Sequence, residues 1–291
     1  MLEFGAHMSI AGGCDQALIK AAALKMTSCQ IFTKNASQWA AKPLDPAMIE
    51  RWTEQRSITG IKHLIAHDSY LINIASPIEA LREKSRLALA DELDRCDQLD
   101  VPYLVSHPGA HMGDGEEVGI QRAAESINRI FDEQINGKSM LLLETTAGQG
   151  TTLGRSFEEL AGIIDKVSDK KRVGVCLDTC HVFVAGYDIR DASTYMETMD
   201  AFDKVIGLDH LRVIHLNDSK KGLGSHSDRH AHIGDGELGI SAFEQLLGDK
   251  RLCGLPAVLE TPKGDHDEED ARNLATLRGI ANRETAKTAQ L

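Results

Sequence analysis

The 291-residue chain has no apolar run approaching the ~18 residues that a membrane span needs, so no membrane crossing is predicted. Its six cysteines, Cys14, Cys29, Cys96, Cys176, Cys180 and Cys253, form neither a CxxC pair nor a dense framework. That excludes a disulfide scaffold and fits reduced thiols in a cytosolic protein. The opening residues, MLEFGAHMSIAGG, lack the basic n-region and apolar h-region of a secretory signal, so a cytoplasmic location is expected. Low-complexity blocks, Pro- or Gly/Ser-rich linkers and steps in composition are all missing, which reads as one domain over residues 1–291. Positive charge is short: Lys+Arg is 32 against Asp+Glu 44, a formal −12. Taken alone, that balance argues against a nucleic-acid partner, which usually meets a basic surface.

What the chain does have is histidine, twelve in all, many beside acidic residues. Bound cations would offset part of the formal negative charge. It also has a repeating order of elements. Short apolar, β-branched runs occur at Leu2 to His7, Cys29 to Thr33, Ile61 to His67, Tyr103 to His107, Met140 to Glu144, Val173 to Asp178, Leu211 to Leu216 and Ala257 to Glu260. Between them lie stretches with apolar positions three and four apart: Pro46 to Arg56, Pro77 to Leu99, Glu116 to Gln134, Phe157 to Val167, Ser193 to Ile206 and Ser241 to Leu247. Asp45-Pro46 and Ser76-Pro77 place a capping side chain before a helix-initial proline, and Ser156 with Glu159 has capping-box spacing. Eight strands alternating with helices imply parallel pairing through right-handed crossovers, hence a (β/α)8 TIM barrel. The rival, an open doubly wound sheet, usually carries G-x-G-x-x-G after its first strand. GAHMSIAGG lacks that spacing.

On this frame the polar residues fall into register. Successive runs from the third to the eighth carry His67, His107, Glu144, Asp178, His215 and Glu260 at or near their carboxyl ends, 34 to 45 residues apart, about one βα unit each. The carboxyl ends of barrel strands converge on one mouth, where active sites are built. A single such histidine reads as a satisfied core residue. Six in succession do not, because crowded buried carboxylates and imidazoles need a cation between them. His181 follows Asp178 by three residues, and Asp228 and His230 lie two apart in the loop after the seventh strand. Nine candidate ligands exceed what one ion needs and fit two or three. Imidazole with carboxylate suits zinc, manganese or iron. Such a cluster serves phosphodiester hydrolysis or, used differently, sugar isomerisation, and spacing does not choose between them. Cys176 and Cys180, placed by alternation on the same strand face as Asp178, read as packed small hydrophobes. His7 ends the first run and reads either as a donor behind a ligand or as a structural residue. His63, His111, His210, His226, His232 and His266 read as structural.

The segments GAHMSIAGG, FTKNASQW, HDSYLIN, HPGAH, ETTAGQGTTLG, GVCLDTCHVFVAGYD, HLNDSK, DRHAHIG and LETP follow in this order from Gly5 to Pro262. Together they resemble the endonuclease IV family of apurinic/apyrimidinic endonucleases. The resemblance implies a barrel with three zinc ions, manganese being an alternative at one or more sites. It places His67, His107 and bridging Glu144 on the first ion, Glu144, Asp178, His215 and Glu260 on the second, and His181, Asp228 and His230 on the third. It implies a DNA repair hydrolase that cuts the phosphodiester 5′ to an abasic site in duplex DNA, leaving a 3′-hydroxyl and a 5′-deoxyribose phosphate, and that cleans blocked 3′ ends. The implied nucleophile is a metal-bridging hydroxide oriented by Glu260. Tyr70 and Leu71 match residues placed in the DNA stack. Lys34, Asn35, Gln38 and Trp39 keep the pattern of FTKNASQW, whereas Ser37 stands where some relatives have arginine. Lys220 and Lys221 are candidate phosphate contacts. A monomer is expected. A sugar isomerase or epimerase would need fewer ligands, and a non-catalytic damage-binding protein would show a broken ligand set.

Overall fold

A computed structural model describes residues 1–264 and 267–289. Eight parallel strands close in the order β1-β10-β7-β6-β5-β4-β3-β2, with β1 at Glu3–His7, β2 Ser28–Phe32, β3 His63–His67, β4 Tyr103–Ser106, β5 Met140–Glu144, β6 Val173–Asp178, β7 Leu211–His215 and β10 Pro256–Leu259. Each predicted run is one of these strands, and those of β5 and β6 keep their predicted ends. The third run starts two residues late, because the N–H groups of both Lys62 and His63 turn to Thr27 O. A ribbon of β8 (Asp218–Ser219) and β9 (His230–Ala231) pairs antiparallel above β7.

The outer layer holds α1 (Cys14–Ala23), α2 (Pro46–Thr59), α3 (Glu79–Gln98), α4 (Glu116–Glu133), α5 (Phe157–Lys166), α6 (Thr179–Ala185), α7 (Ala192–Val205), α8 (Gly239–Gly248) and α9 (Glu268–Ala289). Asp45 caps α2 through Ala47 N–H, as its spacing suggests. Ser156 caps α5 through Glu159 N–H, but the Glu159 carboxylate accepts from Gly154 and Arg155 instead of reaching back to Ser156. Ser76 does not cap a helix. It is buried and its Oγ accepts from Ile78 N–H, while its carbonyl takes Arg82 Nη1, so α3 begins only at Glu79. Helices α1, α6 and α9 lie outside the predicted helical stretches. α1 has Gly13 as its N-cap and no side-chain capping bond, so the chain carries no start signal there.

The barrel interior is layered. Ile65, Val105, Leu142, Cys176, Val213 and Val258 form one fully buried apolar set, one from each of β3, β4, β5, β6, β7 and β10. Side chains two apart on a strand share a face. Two residues further along each strand the same face therefore reaches the mouth.

Candidate metal centre

Those next positions are His67, His107, Glu144, Asp178, His215 and Glu260. β4 and β10 end one residue short of His107 and Glu260, which continue their lines. Asp178 closes β6 and accepts from His181 N–H at 2.8 Å, capping α6 and so fixing the His181 side chain three residues on. The ribbon brings in Asp228 and His230. All nine predicted ligands thus meet at one mouth.

Their donor atoms stand at ligand spacing. Glu144 lies at the centre: its Oε2 is 3.1 Å from His67 Nε2 and 3.0 Å from His107 Nε2, and its Oε1 is 2.9 Å from His215 Nδ1. His215 Nδ1 is also 3.2 Å from Glu260 Oε2 and 3.9 Å from Asp178 Oδ2. Asp228 bridges His181 Nε2 at 3.3 Å and His230 Nε2 at 3.2 Å, and Asp178 Oδ2 is 3.8 Å from His230 Nε2. Ligands about 2.0–2.1 Å from a tetrahedral zinc stand about 3.3 Å from one another. The groups His67–His107–Glu144, Glu144–Asp178–His215–Glu260 and Asp178–His181–His230 each have their ligand atoms within 4.8 Å of one another.

The imidazole tautomers make the case sharper. His67 Nδ1 donates to Asp68 O at 3.0 Å, His181 Nδ1 to Thr145 O at 2.8 Å and His230 Nδ1 to Glu260 O at 3.0 Å. A carbonyl only accepts, so each of these nitrogens holds the proton. Each Nε2 is then left to aim a lone pair into a nest of carboxylates. His215 is set the other way round: its Nε2 donates to Gln30 Oε1 at 2.8 Å, while Gln30 Nε2 donates to Glu260 Oε1 at 2.6 Å. Lone pairs facing carboxylates repel unless a cation lies between them. His230 Nε2 is buried and makes no hydrogen bond. The donor set therefore fits divalent metal ions.

Electrostatics point the same way. Burial alone would lower His67, His181, His215 and His230. Hydrogen bonds and the charges of Glu144, Asp178, Asp228 and Glu260 outweigh it and raise all four, His230 to about 9. Burial alone would raise Glu144, Asp228 and Glu260, but the surrounding imidazoles hold them far below the usual carboxylate range. Without metal the cluster draws in protons, which is a demand for positive charge.

Several residues behind the ligands escape a reading of the sequence. Gln30 sits in β2 between Cys29 and Ile31, and its only signal is an amide inside an apolar run. Asn217 donates to Asp178 Oδ2 at 2.6 Å and accepts from Glu260 N–H at 2.9 Å. Asp218 accepts from the N–H groups of Ser219, Gly234, Gly236, Leu238 and Gly239, tying the loop after His230 to the barrel. His7 takes the donor alternative: its Nδ1 is 3.3 Å from Glu260 Oε1. Cys176 belongs to the apolar layer. Cys180 lies on α6, not on the strand. Burial pushes its thiol up to about 12, and Cys176 rises for the same reason. His63, His111, His210, His226 and His232 take no part in the ligand groups, and His266 lies outside the described residues.

Above the cluster opens a cavity of about 1120 Å³, walled by the loops after β1, β2, β3 and β10. Tyr70 stands 74 % exposed at its edge with its ring against Phe32. Leu71 is half-buried, and Asn35, Gln38, Lys220 and Lys221 are exposed. Ser37, also exposed, donates its N–H to Asn35 Oδ1. Lys34 corrects the expectation of a DNA contact. Its side chain is 1 % exposed, and the ammonium turns inward to Asp91 at 3.0 Å and Glu92 at 3.4 Å.

Residues 18–280 match the family described as xylose isomerase-like TIM barrel. Probable endonuclease 4 of Chloroflexus aurantiacus strain J-10-fl is 51% identical, covering 96% of this chain and 98% of its own. The Geobacter sulfurreducens protein of the same name is 48% identical over 97% and 96%. The crystal structure of endonuclease IV from Thermus thermophilus superposes with a TM-score of 0.86 at 38% identity, covering 97% and 99%. A D-tagatose 3-epimerase-like protein, at TM-score 0.73 and 19% identity, shares the fold.

Proposed function

The chain belongs to the endonuclease IV family, and from that premise we propose that it is a DNA repair hydrolase acting at abasic sites in duplex DNA. It cuts the phosphodiester 5′ to the lesion, leaves a 3′-hydroxyl and a 5′-deoxyribose phosphate, and cleans blocked 3′ ends. The observation that carries this reading is the gathering of nine imidazole and carboxylate groups, at ligand spacing, on the floor of one wide cavity.

His67, His107 and Glu144 would hold a first zinc ion. Glu144, Asp178, His215 and Glu260 would hold a second, and His181, Asp228 and His230 a third, with manganese an alternative at one or more of them. Bound there, such ions supply Lewis acidity toward water and phosphoryl oxygens. The protein's part is orientation. Gln30 and His7 hold Oε1 of Glu260, leaving Oε2 for the reacting side. Asp68, Thr145 and the Glu260 carbonyl keep three imidazoles from turning away. Glu144 shares its two oxygens between the first and second sets, so it sets their separation. At the rim, Tyr70 and Leu71 enter the base stack beside the lesion. Unstacking costs a few kcal/mol and least where a base is already missing, which favours the damaged site. Asn35, Gln38 and Lys220 contact the DNA beside it. The enzyme works as a monomer in the cytoplasm, with its six cysteines free.

The test is incision of a duplex carrying one abasic analogue, with end-group analysis of the products and elemental analysis of the same preparation. The expected result is a single cut 5′ to the lesion and about three metal ions per chain. Aldose–ketose interconversion without incision would replace this reading with a sugar isomerase.

A further inference from the structure

The inward-turned Lys34 belongs to a larger arrangement. On one face of α3 lie Lys84, Asp91, Glu92 and Arg95, at helical spacing. All four reach the single loop between β2 and α2. Thr33 Oγ1 donates to Glu92 Oε2. Lys34 Nζ meets Asp91 at 3.0 Å and Glu92 at 3.4 Å, and also donates to Trp39 O at 3.4 Å. Arg95 donates to Thr33 O at one end of the loop and to Lys42 O at the other, while its Nε meets Asp91 at 3.1 Å. Lys84 lies 4.3 Å over the Trp39 ring. The side chains of Lys34, Glu92 and Arg95 are 1 %, 1 % and 4 % exposed.

Two cations and two carboxylates balance here, so the network offers no free positive charge to a phosphate. Both ends of the loop and its middle are fastened to α3. The tip, with Asn35, Ser37 and Gln38, is left exposed beside the cavity. We infer that Asp91, Glu92 and Arg95, with Lys34, are positioning residues that hold this loop in its lesion-binding shape from behind. The inference rests on the reading of the cavity as a DNA site.

The pattern has a distinctive consequence. A lysine that touches a phosphate contributes about one unit to the slope of log affinity against log salt. A lysine that acts as an internal strut contributes nothing to that slope. Partners in one buried network are also non-additive, since removing either one already frees the loop.

The experiment measures dissociation constants for an abasic-analogue duplex across a salt series, with kcat, KM, metal content and thermal midpoint, for wild type, Lys34→Met, Glu92→Gln and the double variant. Glu92→Gln keeps the side-chain shape, so it serves where Lys34→Met does not fold. Arg86→Met is the control: Arg86 is buried on the same helix but pairs with Glu83 and with Glu133 of α4, away from the loop. The expected result is about tenfold weaker lesion binding in each single variant, falling on KM rather than kcat. The salt slope is unchanged and the double variant is no worse than either single. Arg86→Met lowers the thermal midpoint and leaves affinity alone. A salt slope reduced by about one in Lys34→Met would return that residue to the phosphate contacts and overturn the proposal. So would wild-type affinity in Glu92→Gln, or equal weakening by Arg86→Met. Gln38→Ala, at the loop tip, separates the two layers of argument. If it weakens binding while Glu92→Gln does not, only the positioning role is lost. If it too has no effect, the loop is not part of the DNA site.

Discussion

Inside the barrel, Ile65, Val105, Leu142, Cys176, Val213 and Val258 make one layer, and His67, His107, Glu144, Asp178, His215 and Glu260 make the next. The two lie on the same six strands, two residues or about 6.6 Å apart. The lower layer is fully buried and seals the barrel from below. Water therefore reaches the upper layer only from the mouth, and the carboxylates of Glu144 and Asp178, both 0 % exposed, must find their counter-charge within the cluster. The contrast shows how a packed core becomes a metal cradle: the backbone is continuous, and only the side chains on one face change.

The largest separation of the layers is expected from Glu260→Gln, which keeps shape and removes charge. Incision should fall about 10³-fold, the scale of losing one charge-stabilising group, while lesion binding persists. Normal turnover by this variant would remove Glu260 from the chemistry. One layer down, Leu142→Ala should lower the free energy of unfolding by about 2–5 kcal/mol, the usual cost of a core cavity. Its metal content per folded chain should match wild type. If denaturant unfolding and elemental analysis show metal lost together with stability, the layers are not separable.

A smaller effect compares the protein with and without its cations. In the metal-free chain burial would lower His230, but Asp228 and Asp178 raise it from 6.5 to about 9. A group raised in the fold adds stability that is fully present below 6.5 and is lost as pH climbs through about 9. Glu144 and Glu260 are lowered, so their contribution is present above the ordinary carboxylate range and is lost as pH falls through their lowered values. The chelated protein should therefore melt at progressively lower temperature between pH 6.5 and 9, whereas the loaded protein should hold its midpoint. Parallel melting curves for the two forms over that window would contradict the charge balance described for the mouth.

Much of this is legible without any coordinates. β5 and β6 are where the apolar runs place them, because their flanking residues change character sharply. The nine ligand candidates stand out because a charged residue at the end of an apolar run is costly without a partner. Other residues are hidden for identifiable reasons. Gln30 carries no charge and breaks no pattern, yet it sets the His215 tautomer. Lys34 looks like any surface lysine until α3, some fifty residues on, supplies Asp91 and Glu92. α6 is a single short helix whose cap, Asp178, also belongs to the cluster.

By itself the sequence determined the alternation of strands and helices, hence the barrel, and the kinds of donor waiting at its mouth. These follow from periodicity and side-chain chemistry, which are local. Only the tertiary structure decided which imidazole nitrogen faces inward, which carboxylate is shared, and which lysine is spent inside the protein. Those depend on contacts between segments dozens of residues apart, and strand closure alone sets them.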